Sequence, residues 1–304
     1  RFDSESRSQL SLNLPKNIKK ENSKSNRMLG MLGGRGTSIF TVDPPGCKDF
    51  DDAISITKTN SDIVEIAIYI ANVPSVCAEY DYWPTKDNCP LISSLYLPNK
   101  TKHMLHPVFS EGECSLIANE SRNAFVLTTR MNQITGEVKS IELNMDTITV
   151  KSNLTYGDTD SRISDMVRLA KTMNGGETPG KMARNGGLEG RPPHQYMLRI
   201  DDDHDAVQYF MLHFNCQIGK LLYSKGCGIF RSGLEYPIYK SFKTHSLNNG
   251  CHEMLAESMA RENASRYCHA SSPIRRLVDL INLTHIYHIL GGGLMEDDLL
   301  PHDV

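Results

Sequence analysis

Four aspartates, Asp43, Asp49, Asp51 and Asp52, crowd into ten residues of the segment TVDPPGCKDFDDAISIT, with a Pro-Pro-Gly turn among them and an apolar run directly behind. No other feature constrains the fold as much. The runs AISI (53–56) and VEIAIYI (64–70) alternate with period two and read as paired strands. The carboxylates must therefore stand at the mouth of a sheet with an apolar interior, where unpaired charges are costly and repel one another. A hard divalent cation such as Mg²⁺ is the natural counter-charge. It prefers carboxylate oxygens and keeps positions open for water and substrate phosphates, which points to phosphoryl chemistry. The alternative is a solvated acidic turn. An EF-hand does not match, because no Gly stands where its loop needs one.

At 304 residues and 39% apolar content the chain can bury a full core, as one large domain or two small ones. No apolar run approaches the roughly 18 residues of a membrane span and no signal peptide opens the chain, so the expected setting is intracellular, nominally cytoplasmic, with no membrane partner. Residue 1 is Arg rather than Met, which suggests a piece of a longer polypeptide or a processed product. The eight cysteines form no CxxC pair and read as reduced. The net charge of −3 argues against a uniformly basic nucleic-acid binder. Charge is unevenly placed, however: residues 1–40 hold eight Lys/Arg against three Asp/Glu, a net of +5. A basic, Ser/Asn-rich arm ahead of an acidic metal site suits a polyanion, although residues 1–37 read equally well as a flexible basic linker.

SIFTVD reads as a strand that runs into the acidic loop. A hairpin is expected at NAFVLTTRMN-QITG-EVKSIELNM, with Thr135-Gly136 as its turn. Residues 161–173 are expected as a short helix and 174–194 as a Gly/Pro loop. A long helix follows over 205–224, with acidic residues at its start and Gly226 beyond its end. The DDDHD run before it is either a second metal site or a solvated helix N-terminus. Helices are also expected over 252–267 and 273–290, with 291–304 as a tail.

The last of these helices carries a second chemical element, in YCHASSPIRRLVDLINL (267–283). Ser272 suits an N-cap and Pro273 a first helical turn, which would put Arg275 and Arg276 beside free amides and make a phosphate clamp. The alternative is a helix whose arginines pair with carboxylates such as Asp279.

Read together, DPPGxxDxDDA and the downstream SPIRR resemble the catalytic RNB domain of the ribonuclease II and ribonuclease R family. LYLPNKTKHMLHP (95–107), CSLIANESRNAF (114–125), LTYGDT (154–159) and FMLHFNCQIG (210–219) agree in order, so the resemblance runs over roughly 38–290. It implies an α/β (α+β) RNB-type fold of curved strands and long helices around an RNA channel, with the Asp cluster at the closed end. The implied activity is 3′-to-5′ exonucleolysis of single-stranded RNA to nucleoside 5′-monophosphates with Mg²⁺ or Mn²⁺. By the same resemblance Asp43, Asp49, Asp51 and Asp52 hold the metal, and Asp51 is the residue whose loss most impairs catalysis. Arg275, and less strongly Arg276, grips phosphate. Tyr96 positions the terminal nucleotide and Tyr156 stacks on bases, a contact that tolerates any sequence.

Departures from the family pattern are visible. Asn72 stands in Tyr69-Ile70-Ala71-Asn72-Val73 where relatives carry Asp, and Gln208 and Tyr209 stand where many carry glutamates on the long helix. The S1 domain and the cold-shock domains, the OB-folds that funnel RNA inward, are not in this sequence. Two rivals remain, a catalytically inactive RNB-like RNA-binding protein and a different Mg²⁺ phosphohydrolase acting on small phosphate esters.

Overall fold

The computed structural model describes residues 38–85, 89–174, 200–232, 238–241 and 267–292. The basic arm, the Gly/Pro loop, the helix expected at 252–267 and the C-terminal tail lie outside these residues, but for their boundary positions. Among the described residues no helix is long and apolar enough to cross a membrane. Among the described residues, Cys47, Cys77, Cys89, Cys114, Cys216, Cys227 and Cys268 are in no disulfide.

The expected mixed α and β architecture is present. Strands β1 (Phe40–Asp43), β2 (Asp52–Lys58), β3 (Ile63–Ala71), β6 (Ser121–Asn132), β7 (Val138–Thr149) and β8 (Ser152–Thr155) form one sheet in the order β7-β6-β3-β2-β1-β8. All neighbours run antiparallel except β1 and β8, which are parallel. The β6–β7 hairpin turns where expected. Gly136 is required at that tip, because its φ is +74° and a Cβ there would lie 2.3 Å from the carbonyl oxygen of Thr172.

Alternation along the strands divides the sheet into two faces of different character. One face presents Phe40, Val42, Ile54, Ile66, Ile68, Ile70, Phe125 and Leu127 to two helices, α2 (Ser161–Met173) and α3 (Asp203–Ser224), which contribute Ile163, Met166, Leu169, Phe210 and Phe214. Both helices lie where the 3.6-residue pattern puts them. The other face presents smaller groups, Ala53, Ala67, Ala71 and Ala124 with Tyr69. It is covered by α1 (Val73–Tyr80) and an irregular layer that includes Met104, Leu105, Phe109, Leu116 and Ile274. β3 is thus buried on both sides. The last helix, α4 (Leu277–Ile289), joins the two layers, with Leu283 and Ile286 in the first cluster and Leu280 in the second. Two short hairpins complete the fold, β4 (Leu95–Leu97) with β5 (Lys100–Lys102), and β9 (Ile229–Ser232) with β10 (Ile238–Ser241).

Candidate active site

Asp43 closes β1 and Asp52 opens β2, so two of the four carboxylates stand at neighbouring strand ends. Between them the chain turns tightly: the Cys47 amide donates to the Pro44 carbonyl at 3.1 Å, and Gly46 takes a left-handed φ of +83°. The Asp51 carbonyl accepts from the Ala71 amide at 2.9 Å, fixing the loop exit on β3. Asp49 and Asp51 are buried, the latter only 3% exposed, while Asp43 and Asp52 are half-buried.

Crowding shows in the acidities. Burial lifts Asp43 to about 6, with the Asp49 charge adding to it and Thr41 and Arg275 opposing. Burial lifts Asp51 to about 7, against the pull of Arg275 and the Ile274 amide. Asp52 rises well above the carboxylate range, first from burial and then from the charges of Asp43 and Asp51. The Cys47 thiol is pushed up by burial and by Asp43 and Asp49. Its Sγ lies 3.6 Å from Asp49 Oδ1 and 3.9 Å from Asp43 Oδ1.

The SPIRR segment meets this cluster across more than two hundred residues of sequence. Asp51 Oδ1 accepts from the Ile274 amide at 2.8 Å and Oδ2 from Arg275 Nε at 3.1 Å, while Arg275 Nη2 donates to Ser272 Oγ at 3.0 Å. The local conformation differs from the sequence expectation. The helix begins at Leu277, not Pro273, so Ser272 is not its N-cap and neither arginine lies in its first turn. Two contacts hold 272–276 out of the helix. The buried Asp279 carboxylate takes the Ser272 amide at 2.9 Å, and 275–277 pairs with 92–94 through Ser94 N–H to Arg275 C=O and Leu277 N–H to Ile92 C=O. The pairing also brings up the β4–β5 hairpin, from which the Tyr96 hydroxyl donates to Asp49 Oδ2 in a short hydrogen bond. Tyr96 is otherwise 54% exposed.

Tyr156 arrives by the parallel β1–β8 pairing. Thr155 registers with Asp43, and the Tyr156 amide donates to the Asp43 carbonyl at 3.2 Å. Its ring centroid lies 5.1 Å from that of His204. The Tyr156 hydroxyl is pushed above its ordinary range by burial and then by Asp52 and Asp43, as expected of a phenol close to the acids.

Of the residues singled out in the sequence, Asp43, Asp49, Asp51, Asp52, Arg275, Tyr96 and Tyr156 come together. Arg276 is diverted: its Nη2 pairs with buried Asp279 at 2.8 Å, the alternative weighed for these arginines. Asn72 proves to be a cap, its Oδ1 accepting from the Ser75 amide at the start of α1, so its side chain is spent at a helix end. Tyr209 is core and Gln208 is exposed. The DDDHD run is a helix N-terminus, in which Asp202 caps α3 and Asp203 accepts from the Gly157 amide at 2.7 Å. Sequence reasoning missed Ser115, which binds the acidic loop from an irregular segment. A lone serine without periodicity gives no signal.

The donors suit a hard cation only in part. Asp43 Oδ2 is buried without a hydrogen-bond partner among the described residues, and Asp52 shares its burial and repulsion. Both oxygens of Asp51, by contrast, are already taken. Among the described residues no three His, Cys, Asp or Glu side chains stand close enough to enclose an ion. Mg²⁺ does not need such a cage, since one or two carboxylates with water and substrate phosphate suffice.

The family model described as the RNB domain matches residues 35–200, more than half of the chain. The chain belongs to the RNB domain family. Its relatives include the probable exosome complex exonuclease RRP44 of Caenorhabditis elegans, 26% identical over an alignment of 244 residues that covers 69% of this chain and 24% of that protein. The chain thus spans a quarter or less of the curated relatives matched first. Among solved structures, Mycoplasma genitalium RNase R in complex with ribose methylated single-stranded RNA superposes with a TM-score of 0.60 at 18% identity, over 87% of this chain and 52% of that one. Yeast Ssd1, a pseudonuclease, does so with a TM-score of 0.57 at 13% identity, over 86% and 40%. At these identities the likeness is one of RNB fold, which active and inactive proteins share.

Proposed function

We propose that this RNB domain is a Mg²⁺-dependent exoribonuclease that shortens single-stranded RNA from the 3′ end and releases nucleoside 5′-monophosphates. The observation that carries the reading is the bidentate hold of Asp51 on the Ile274 amide and Arg275, which joins the acidic loop to the SPIRR segment. It aims an exposed guanidinium group beside a carboxylate cluster whose charge is only partly balanced among the described residues. Such a pairing of cation site and phosphate fork matches the scissile phosphate of a polyanion.

Asp43 and Asp52 are the residues proposed to hold the metal, with Asp49 next to them. When bound, the ion supplies an activated water and neutralises charge on the scissile phosphate. Asp51 orients Arg275 through Nε, while Ser272 Oγ accepts from Arg275 Nη2. Arg275, whose side chain is 44% exposed, grips the phosphate near the 3′ end. Tyr96, tied to Asp49, positions the terminal nucleotide, and Tyr156 offers a ring for stacking. Arg276 enters only as a structural support through Asp279. Selection for RNA over DNA would rest on contacts to the 2′-hydroxyl and backbone.

A second reading, an RNA-binding domain without turnover, draws on the likeness to yeast Ssd1. The two separate in one experiment, in which 5′-labelled single-stranded RNA is incubated with the chain and Mg²⁺ beside Asp51→Asn and EDTA controls. A shrinking ladder absent from both controls is the expected result. Intact RNA that shifts in a gel would establish the inactive binder, and internal cuts would exclude an exonuclease.

A further inference from the structure

One buried hydroxyl touches the acidic loop on both sides of Asp49 and belongs to none of the residues assigned above. Ser115 is 0% exposed. Its Oγ donates to the Lys48 carbonyl at 2.7 Å and accepts from the Phe50 amide at 3.0 Å. The next residue completes the clamp, since the Leu116 amide donates to the Phe50 carbonyl at 3.0 Å. The three bonds leave Asp49 between two fixed peptide groups, with Asp51 one residue beyond.

The segment that delivers Ser115 is itself held firmly. Residues Phe109–Glu113 form a single widened π-type turn, a form often found beside functional sites. Glu111 from that turn meets Lys48 Nζ at 3.7 Å and His103 Nε2 at 3.0 Å. Arg122 donates to the Ser115 and Gly112 carbonyls at 3.1 and 3.2 Å. The acidic loop, which has no regular structure of its own, is therefore registered against a second irregular but braced segment, with the Ser115 hydroxyl bonded on both sides of Asp49.

We infer that Ser115 is the positioning residue of the acidic loop: its hydroxyl sets the register in which Asp49 reaches Tyr96 while Asp51 reaches Arg275. The inference deepens the function proposed above and rests on it for its catalytic consequence. Its geometric content can be tested without that reading. Without the hydroxyl, Lys48 C=O and Phe50 N–H lose their partner in a water-poor place, and the loop gains room to turn about Asp49. Loss of register then acts on metal affinity and turnover more than on RNA affinity.

Cys47, two residues before Asp49 and only half-buried, serves as the probe. In the 304-residue chain, alkylation by iodoacetamide is followed at Cys47 and at core Cys216 by peptide mapping, in wild type, Ser115→Ala and the near-isosteric Ser115→Cys. Cys47 should react about tenfold faster in Ser115→Ala at an unchanged Cys216 rate, with a smaller rise in Ser115→Cys. Should Ser115→Ala fail to fold, Ser115→Cys alone decides, again by the Cys47 rate against the Cys216 rate. Equal rates at Cys47, or a parallel rise at both cysteines, would overturn the inference, the latter by showing general loosening. In the same variants the Mg²⁺ concentration that half-saturates RNA cleavage should rise about tenfold while KM for RNA stays within twofold. A wild-type chain that cleaves no RNA would sink the proposed function and leave the alkylation result standing by itself.

Discussion

The two faces of the central sheet are built by different means. On the helical face, β-branched and aromatic side chains from alternate strand positions meet two long amphipathic helices, and nearly every contact is apolar. On the opposite face the strands present alanines, and the covering layer is held by polar bonds: Ser115 to the acidic loop, Asp51 to Ile274 and Arg275, Asp279 to Ser272. Small strand residues on that side leave room for irregular backbone to come close. Both faces bury apolar side chains, the first through regular strands and helices and the second beneath an irregular layer. The second trades regular packing for the placement of charged groups, and the candidate site lies at its edge.

The sharpest test of this division is Asp51→Asn, which keeps the shape and removes the charge that holds Arg275. Cleavage of labelled RNA should fall by about 10³-fold, the usual cost of losing one preorganised electrostatic contact at a reacting centre. The denaturant midpoint should not fall, because burial already works against an ionised Asp51. Phe210→Ala is the mirror experiment. Phe210 is fully buried on the helical face, and its truncation should cost about 3–5 kcal/mol in urea unfolding while the remaining folded fraction keeps its kcat. If either variant shows the other's signature, the division between the faces fails.

The folded-state acidities of Asp43, Asp51 and Asp52 all lie above those of an unfolded chain, so the folded form binds the extra protons. The stability of the metal-free protein should therefore fall as pH rises from about 4 through 7. Asp52→Asn should flatten that slope, and Mg²⁺ should raise the melting temperature more at pH 8 than at pH 5. A metal-free melting temperature that climbs over this interval would contradict the crowding described for the cluster.

The smallest expected effect belongs to the helical face. Asp160 caps α2, accepting from the Arg162 amide at 2.9 Å, and Arg162 holds its carboxyl down at about 2, first by a side-chain and then by a backbone hydrogen bond. Asp160→Ala should cost about 1 kcal/mol at neutral pH. Because this acidity is depressed, its contribution is complete above about pH 4 and is lost as pH falls toward 2, the opposite sense to the acidic cluster. Thermal melts of both proteins across that range check it.

Legibility in the sequence follows the same boundary. The strands β1, β2 and β3, the β6–β7 hairpin and the helices α2 and α3 were readable, because period two and period 3.6 are imposed by burial on a flat or cylindrical surface. The four aspartates were readable as a cluster, being close in the chain. Helix α1 went unread although Asn72 and Pro74 are start signals, because its single buried stripe is short. Helix α4 starts later than its sequence signals indicate. Ser272 and Pro273 have the chemistry of a helix N-terminus, but a buried carboxylate seven residues on and a pairing with 92–94 claim backbone groups of the same segment. Arg276 follows from that later start, since a residue placed in a first turn points differently from one that pairs with Asp279.

By itself, then, the sequence determined that a sheet would end in a knot of carboxylates, because four aspartates within ten residues surround a Pro-Pro-Gly turn directly ahead of a period-two apolar run. Only the tertiary structure decided what faces that knot. It chose Arg275 over Arg276, brought Tyr96 onto Asp49, and gave Ser115 a place on both sides of it. These are contacts between segments distant in sequence, and no local propensity encodes them. They are decided by which buried polar groups find partners in the folded chain.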